Sequence, residues 1–304
     1  MNATEREIIS QPAVWAQARE HVAEASAMLA ARGERVLALG CGTSAFVAMA
    51  YAALREEAGF GETDACFGSE AGVVQRRGYD RVVAITRSGT TTEILQALRA
   101  LPPGPATVAV TAVRGEPVDA LVEQQLVLGF ADESSVVQTR FPTALLALMR
   151  ASLGEDLGPV IRDGERAVAG PLPVDPADFE HFVFLGTGWT VGLAHEAALK
   201  IREAAQAWSE SYPSMDYRHG PIAVAGPGSL VFVFGTAPVG LVATVEGTGA
   251  TVVTSDLDPL AQLVVAQRLA LRLAESRGLD PDNPRGLTRS VILATGPSTN
   301  GLHR

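Results

Sequence analysis

Short apolar runs alternate along the chain with longer stretches in which apolar residues recur every three or four positions. RVLAL (35–39) leads through a glycine turn into a helical pattern from about Ser44. RVVAIT (81–86) precedes SGTTTEILQALRAL, and ATVAVT (106–111) precedes a turn and a short helix. QQLVLGF (124–130) precedes SVVQTRFPTALLALMRASL. Strands that are apolar throughout, each followed by a helix, predict an α/β fold: a mostly parallel sheet covered by helices on both faces. Ahead of this pattern, roughly the first thirty residues read as helix. Pro12 is placed in a first turn, with Val14, Ala18, Val22 and Ala25 at helical spacing.

From Gly164 to Phe179 the chain is rich in Pro, Gly and Asp, which predicts a linker between two halves, 1–164 and 165–304. The pattern then restarts. HFVFLGTGWTVGLAHEAALKI repeats the layout of RVLALGCGTSAFVAMAYAALRE, with Leu185-Gly186-Thr187-Gly188 standing 146 residues after Leu39-Gly40-Cys41-Gly42. A strand, a G-x-G turn and a helix in one order suggest an internal duplication. SLVFVFG (229–235), ATVVTSD (250–256) and a long apolar helix over 259–278 complete the second half.

Composition narrows the function classes. An apolar fraction of 47% over 304 residues supports a sizeable core and argues against disorder. The formal net charge of -10 argues against nucleic acid as a partner, although a local pocket can still hold one phosphate. The N-terminal segment is polar and acidic rather than basic and then apolar. The apolar tract from Leu230 to Val245 is broken by Gly235, Pro238 and Gly240. A cytoplasmic chain without a signal peptide or membrane partner is therefore expected. Cys41 and Cys66 lack metal-ligand spacing and read as reduced structural thiols; no cofactor or metal is expected.

Two loops invite an anion. Gly40-Cys41-Gly42-Thr43-Ser44 and Thr86-Arg87-Ser88-Gly89-Thr90-Thr91 both lie between a strand's carboxyl end and a helix, where unsatisfied N–H groups and the helix dipole favour phosphate. Arg87 adds a guanidinium suited to a bidentate contact. The same residues also serve as ordinary N-caps, since Ser and Thr are favoured there. A nicotinamide site is less well supported: Gly40-x-Gly42 has Ala45 where the third glycine belongs. Elsewhere, Glu196, Lys200 and Glu203 share one helical face. Lys200 is the one lysine among the chain's 24 lysine and arginine residues. The triplet reads either as an exposed face laced with charge pairs or as a proton-moving site.

Taken together, these pieces resemble the double sugar isomerase (SIS) family, specifically the isomerase part of glucosamine-6-phosphate synthase without its glutaminase domain. They are EIISQP from Glu7, Cys41-Gly42-Thr43-Ser44, the Thr86–Thr91 loop, QTRFPTALLALM from Gln138, EAALKIRE from Glu196, RHGP from Arg218 and DNPRGLTRSV from Asp282. The resemblance implies two tandem flavodoxin-like three-layer domains and a phosphosugar substrate. Ser44, Thr86, Ser88 and Thr91 would hold a 6-phosphate, with Arg87 where the synthase has glutamine. Thr43, Val137-Gln138-Thr139 and Glu196 would contact the substrate. Glu203 would be the base moving a proton between C1 and C2, Lys200 would orient it or bind a substrate oxygen, and His219 would open the ring. An imidazole suits the last task because it gives and takes protons near neutrality. In relatives this histidine comes from the neighbouring subunit, so a homodimer is implied.

The departures matter too. Nothing in the chain matches the glutaminase nucleophile. Arg289 stands where the synthase has a Schiff-base lysine; a guanidinium forms no Schiff base but can bind substrate oxygens or phosphate. Lys200 is left as the one side-chain amine, either forming the Schiff base or holding Glu203 in place. The reading is an isomerase or deaminase acting on a hexose or aminohexose 6-phosphate. The alternatives are a non-catalytic phosphosugar sensor and, more weakly, a nicotinamide oxidoreductase.

Overall fold

The computed structural model describes residues 1–29, 31–74 and 77–293. The end of the second half as read from the sequence, 294–304, lies outside the described residues. In chain order the elements are α1 (Ala3–Ala18), α2 (Val22–Leu29), β1 (Val36–Gly40), α3 (Thr43–Glu57), β2 (Thr63–Phe67), α4 (Ala71–Val74), β3 (Arg81–Ile85), α5 (Thr92–Arg99), β4 (Ala106–Thr111) and β5 (Gln124–Val127). There follow α6 (Arg140–Ser152), α7 (Leu157–Ala169), β6 (His181–Gly186), α8 (Thr190–Ala205), β7 (Trp208–Pro213), β8 (Ser229–Val233), α9 (Leu241–Glu246), β9 (Thr251–Val253) and α10 (Pro259–Ser276).

The strands form two sheets, ordered β2-β1-β3-β4-β5 and β7-β6-β8-β9, and every neighbouring pair is parallel. β1, β3 and β8 are buried at every position, as strands covered on both faces must be. The α/β architecture expected from the alternation is what the chain adopts.

The repeated glycine turns do the same thing in both sheets. A Cβ at Gly40 would lie 2.2 Å from the Ser44 carbonyl carbon, and one at Gly186 would lie 2.3 Å from the Thr190 carbonyl oxygen. Gly42 and Gly188 have φ of +52° and +57°, a region open to glycine at little cost. Each turn drives a strand end hard against the first turn of the next helix, which needs glycine for lack of room.

Those two helices, α3 and α8, also pack on each other. A Cβ at Gly192 would stand 2.5 Å from the Phe46 carbonyl oxygen, so the backbones approach closely. One apolar cluster contains Trp15, Tyr51, Phe141, Phe184 and Leu263, drawing on both halves. The first turns of α3 and α8 thus meet in a buried seam.

Four sequence expectations need correction. Pro12 lies inside α1 rather than in its first turn. Its missing N–H would have met the Ile8 carbonyl, and the Gln11 side-chain amide donates there instead at 3.1 Å. The N-terminal helix is interrupted by a 3-10 turn at Arg19–His21. The linker begins only after Ala169, because Gly164 packs on the Trp15 ring, where a Cβ would come within 2.5 Å. Finally, the edge strand β7 is not foreseen as a strand, since WSESYP is partly exposed and carries few apolar residues, and β2 reads only as a strand or turn around Cys66. Among the described residues no helix is long and apolar enough to cross a membrane.

Candidate active site

The loop Thr86–Thr91 leaves the buried end of β3, and Ser44 lies one residue into α3, just beyond β1. Since β1 and β3 run in adjacent positions with their following segments diverging, this is the switch point where open α/β sheets bind ligands. Ser44, Thr86, Arg87, Ser88, Thr91 and Gln138 line a cavity of about 30 Å³ there. Thr86 Oγ1 and Gln138 Oε1 are buried without hydrogen-bond partners among the described residues. Buried polar atoms are ordinarily paired, so two orphans at one cavity mark it as built for a polar guest.

Arg87 is turned away from the expected bidentate phosphate contact. Its guanidinium is buried, donates to the carbonyls of Ser135 (3.1 Å) and Arg289 (3.3 Å), and stands 3.7 Å from the Glu133 carboxylate. Burial lowers its pKa, with Glu133 opposing. Glu133 is itself fully buried at the N-terminus of α6. It accepts from the N–H groups of Thr139 (2.6 Å), Arg140 (2.8 Å) and Phe141 (3.2 Å) and from Thr139 Oγ1 (2.8 Å). Burial raises its pKa, and Arg87 opposes the rise. Glu7 of α1 braces the same segment, accepting from Ser134 N–H (2.6 Å) and Ser135 Oγ (2.5 Å). Segment 133–139 is therefore held by two carboxylates whose parts in it no sequence pattern announced. Val137 and Thr139 are placed beside Lys200, around a void of about 10 Å³.

Lys200 lies on α8, 1% exposed. Its ammonium donates to Glu203 Oε2 at 2.5 Å and across the seam to Thr43 Oγ1 at 3.1 Å, and it stands 3.3 Å from Glu196 Oε1. Burial works against the charge, but Glu196 and Glu203 outweigh it and raise the Lys200 pKa above the ordinary lysine value. The exposed-face reading of this triplet is excluded by that burial. Glu196 is also fully buried, with the Lys200 ammonium and the Thr43 hydroxyl near its carboxylate. Burial pushes its pKa up from 4.5 to about 7, with Lys200 pulling the other way.

An acid whose folded pKa is raised gives stability that is complete below its unfolded pKa and is lost as pH rises through the folded one. Between pH 4.5 and about 7 wild-type protein should therefore lose stability at this position. The displacement is worth roughly 3 kcal/mol. Urea denaturation across that window should show Glu196→Gln gaining on wild type by about this amount.

No family model matches the chain. It is 27% identical to the glutamine–fructose-6-phosphate aminotransferase (isomerizing) of Aeropyrum pernix, over 95% of this chain and 57% of that protein. A Sulfurisphaera tokodaii protein of the same name is 25% identical over 86% of this chain and 50% of its own. The chain spans about half the length of the curated relatives it matches. Among solved structures, the glucosamine-6-phosphate deaminase of Thermotoga maritima superposes with a TM-score of 0.84 at 26% identity, covering 96% of this chain and all of that one. The tagatose-6-phosphate ketose/aldose isomerase of Escherichia coli gives 0.78 at 18% identity, over 97% and 98%. The fold is the double sugar isomerase fold.

The remaining candidate residues fall into two groups. Arg289 is brought to the cavity beyond β1 and β3, but its guanidinium is bound to the carboxylate of Asp132 and the carbonyl of Glu133. His219 is exposed in the turns after β7, and among the described residues no hydrogen bond or ion pair joins it to Lys200 or Glu203. A second cavity, of about 730 Å³, sits at the matching end of the other sheet, lined by Thr187, Trp189, Thr236, Thr254 and Gln262 among others. Among the described residues no basic side chain lines it. Ser290, whose hydroxyl reaches Ser88 and Thr90, lies within the DNPRGLTRSV stretch but is not singled out from the sequence as a site residue.

Proposed function

We propose that the chain is a phosphosugar isomerase or deaminase, acting on a hexose or aminohexose 6-phosphate by moving a proton between C1 and C2. The observation that carries this reading is the pairing of two consecutive hydroxyls at the start of α3. Thr43 accepts from Lys200, while Ser44 lines the cavity with the orphaned Thr86 and Gln138 oxygens. A phosphate seat and a buried acid–base cluster are thereby fixed one residue apart.

In this reading Ser44, Thr86, Ser88 and Thr91 bind the 6-phosphate, and Thr43 with Val137, Gln138 and Thr139 borders the sugar. Glu203, the one carboxylate of the α8 triplet with solvent access, takes the proton from one carbon and returns it to the next through an enediol or enolamine. With an aminohexose the proton shift yields a ketose imine, which water hydrolyses to the ketose and ammonia. Lys200 is a positioning residue here. Its raised pKa keeps it an ammonium, and imine formation needs a free amine. Glu196, sealed behind it, balances that charge. His219 would enter from a second copy, which makes a homodimer part of the proposal. The glucosamine-6-phosphate deaminase and isomerase names among the structural relatives support this substrate class.

The test is a thermal-shift comparison of glucosamine 6-phosphate with glucosamine. Saturating phosphorylated ligand should stabilise by about 3 kcal/mol at a hundredfold excess over its Kd, and the unphosphorylated sugar should not. Equal shifts, or none, would remove the phosphate seat from the reading.

A further inference from the structure

The chain's own tail already engages one hydroxyl of the seat that this reading gives to phosphate, Ser88, and the neighbouring Thr90 and Thr92. Ser290 Oγ lies 3.1 Å from Ser88 Oγ and 2.8 Å from Thr90 Oγ1. The Val291 carbonyl accepts from the Thr92 N–H at 3.1 Å, the first amide of α5, and the Leu293 N–H donates to Thr92 Oγ1 at 2.9 Å. Arg87 donates to the Arg289 carbonyl at 3.3 Å. Hydroxyls and a helix N-terminal amide are the groups that a phosphate's oxygens would use. The cavity left beside the tail, about 30 Å³, has room for one or two waters. Small-molecule sites are typically roughly 300–1,000 Å³. Thr86 Oγ1 has no partner among the described residues, so the tail engages one side of the seat and leaves the other unsatisfied.

We propose that Ser290 and Val291 are internal competitors for the phosphate, so that the tail sets phosphosugar affinity by engaging one side of the seat before the ligand arrives. The proposal rests on the phosphosugar reading above. The tail is anchored upstream, where Asp282 accepts from Ala3 N–H (2.7 Å), Thr4 N–H (2.8 Å) and Thr4 Oγ1 (2.7 Å). The strap after Asp282 can therefore lift while its base stays fixed. This order of events is the reverse of a lid that folds over a bound ligand, and the two make opposite forecasts. A competitor must leave for phosphate to enter; a lid holds phosphate in.

The experiment titrates inorganic phosphate and glucose 6-phosphate into wild type and Ser290→Ala by calorimetry. Removing the hydroxyl deletes two tail contacts, so Ser290→Ala should bind both ligands about threefold to thirtyfold more tightly. In wild type, either ligand should speed trypsin cleavage after Arg285 and Arg289 by freeing the strap. Unchanged or weaker binding in Ser290→Ala, or slower cleavage with ligand, would overturn the competitor and leave the phosphate seat standing. Failure of both proteins to bind either ligand would overturn the seat and the competitor together.

Discussion

Glu203→Gln should lose turnover on any hexose or aminohexose 6-phosphate that the protein processes, by about 10²–10⁴-fold. Affinity for the same ligand should stay within a few-fold of wild type. The amide keeps the shape of the carboxylate and can still accept from Lys200, but it cannot take a proton from carbon. The phosphate contacts lie on other elements, β3 to α5 and the start of α3, so binding is set elsewhere. Steady-state kinetics with direct titration separates the two quantities. A non-catalytic sensor would show the binding without any turnover to lose.

Lys200→Met has the next largest expected effect, on stability. Removing one partner of a buried charged cluster leaves the others without compensation, at a cost of about 3–5 kcal/mol. Here Glu196 is the group left behind, fully buried, with the Thr43 hydroxyl as its remaining polar neighbour. Without the ammonium its folded pKa climbs further, so the penalty begins near its ordinary pKa and grows as pH rises. Chemical denaturation should accordingly find the deficit larger at pH 8 than at pH 5. A deficit independent of pH would mean that packing, and not the Glu196 charge, sets the cost.

Much of this was legible in the sequence, for stated physical reasons. Strands buried on both faces must be apolar throughout, so β1, β3, β4 and β8 announced themselves. The glycine turns repeated because both strand ends press on the following helix, as the close contacts of Gly40 and Gly186 show. The face shared by Glu196, Lys200 and Glu203 follows from helical periodicity alone, and the structure buries it. What the sequence hid depends on distant partners. The edge strand β7 holds its place by hydrogen bonding to one neighbour, which leaves no hydrophobic signature. Arg87 looked like a phosphate ligand because its partner Glu133 lies 46 positions away and belongs to no motif. Gly164 and Pro12 read as punctuation until Trp15 and the Gln11 amide were seen beside them. Nor does any local pattern say that Ser290 and Val291 return to the loop after β3.

The most direct measurement follows proton movement itself. Wild-type protein is incubated in deuterium oxide with the hexose or aminohexose 6-phosphate that gives the largest thermal shift, and the sugar is examined by proton NMR. The expected result is loss of the C2 proton signal of the aldose, or of a C1 proton of the ketose, at a rate that falls with Glu203→Gln. A ligand that binds at the loop yet keeps every carbon-bound proton, or exchange that persists undiminished in Glu203→Gln, would contradict the assignment.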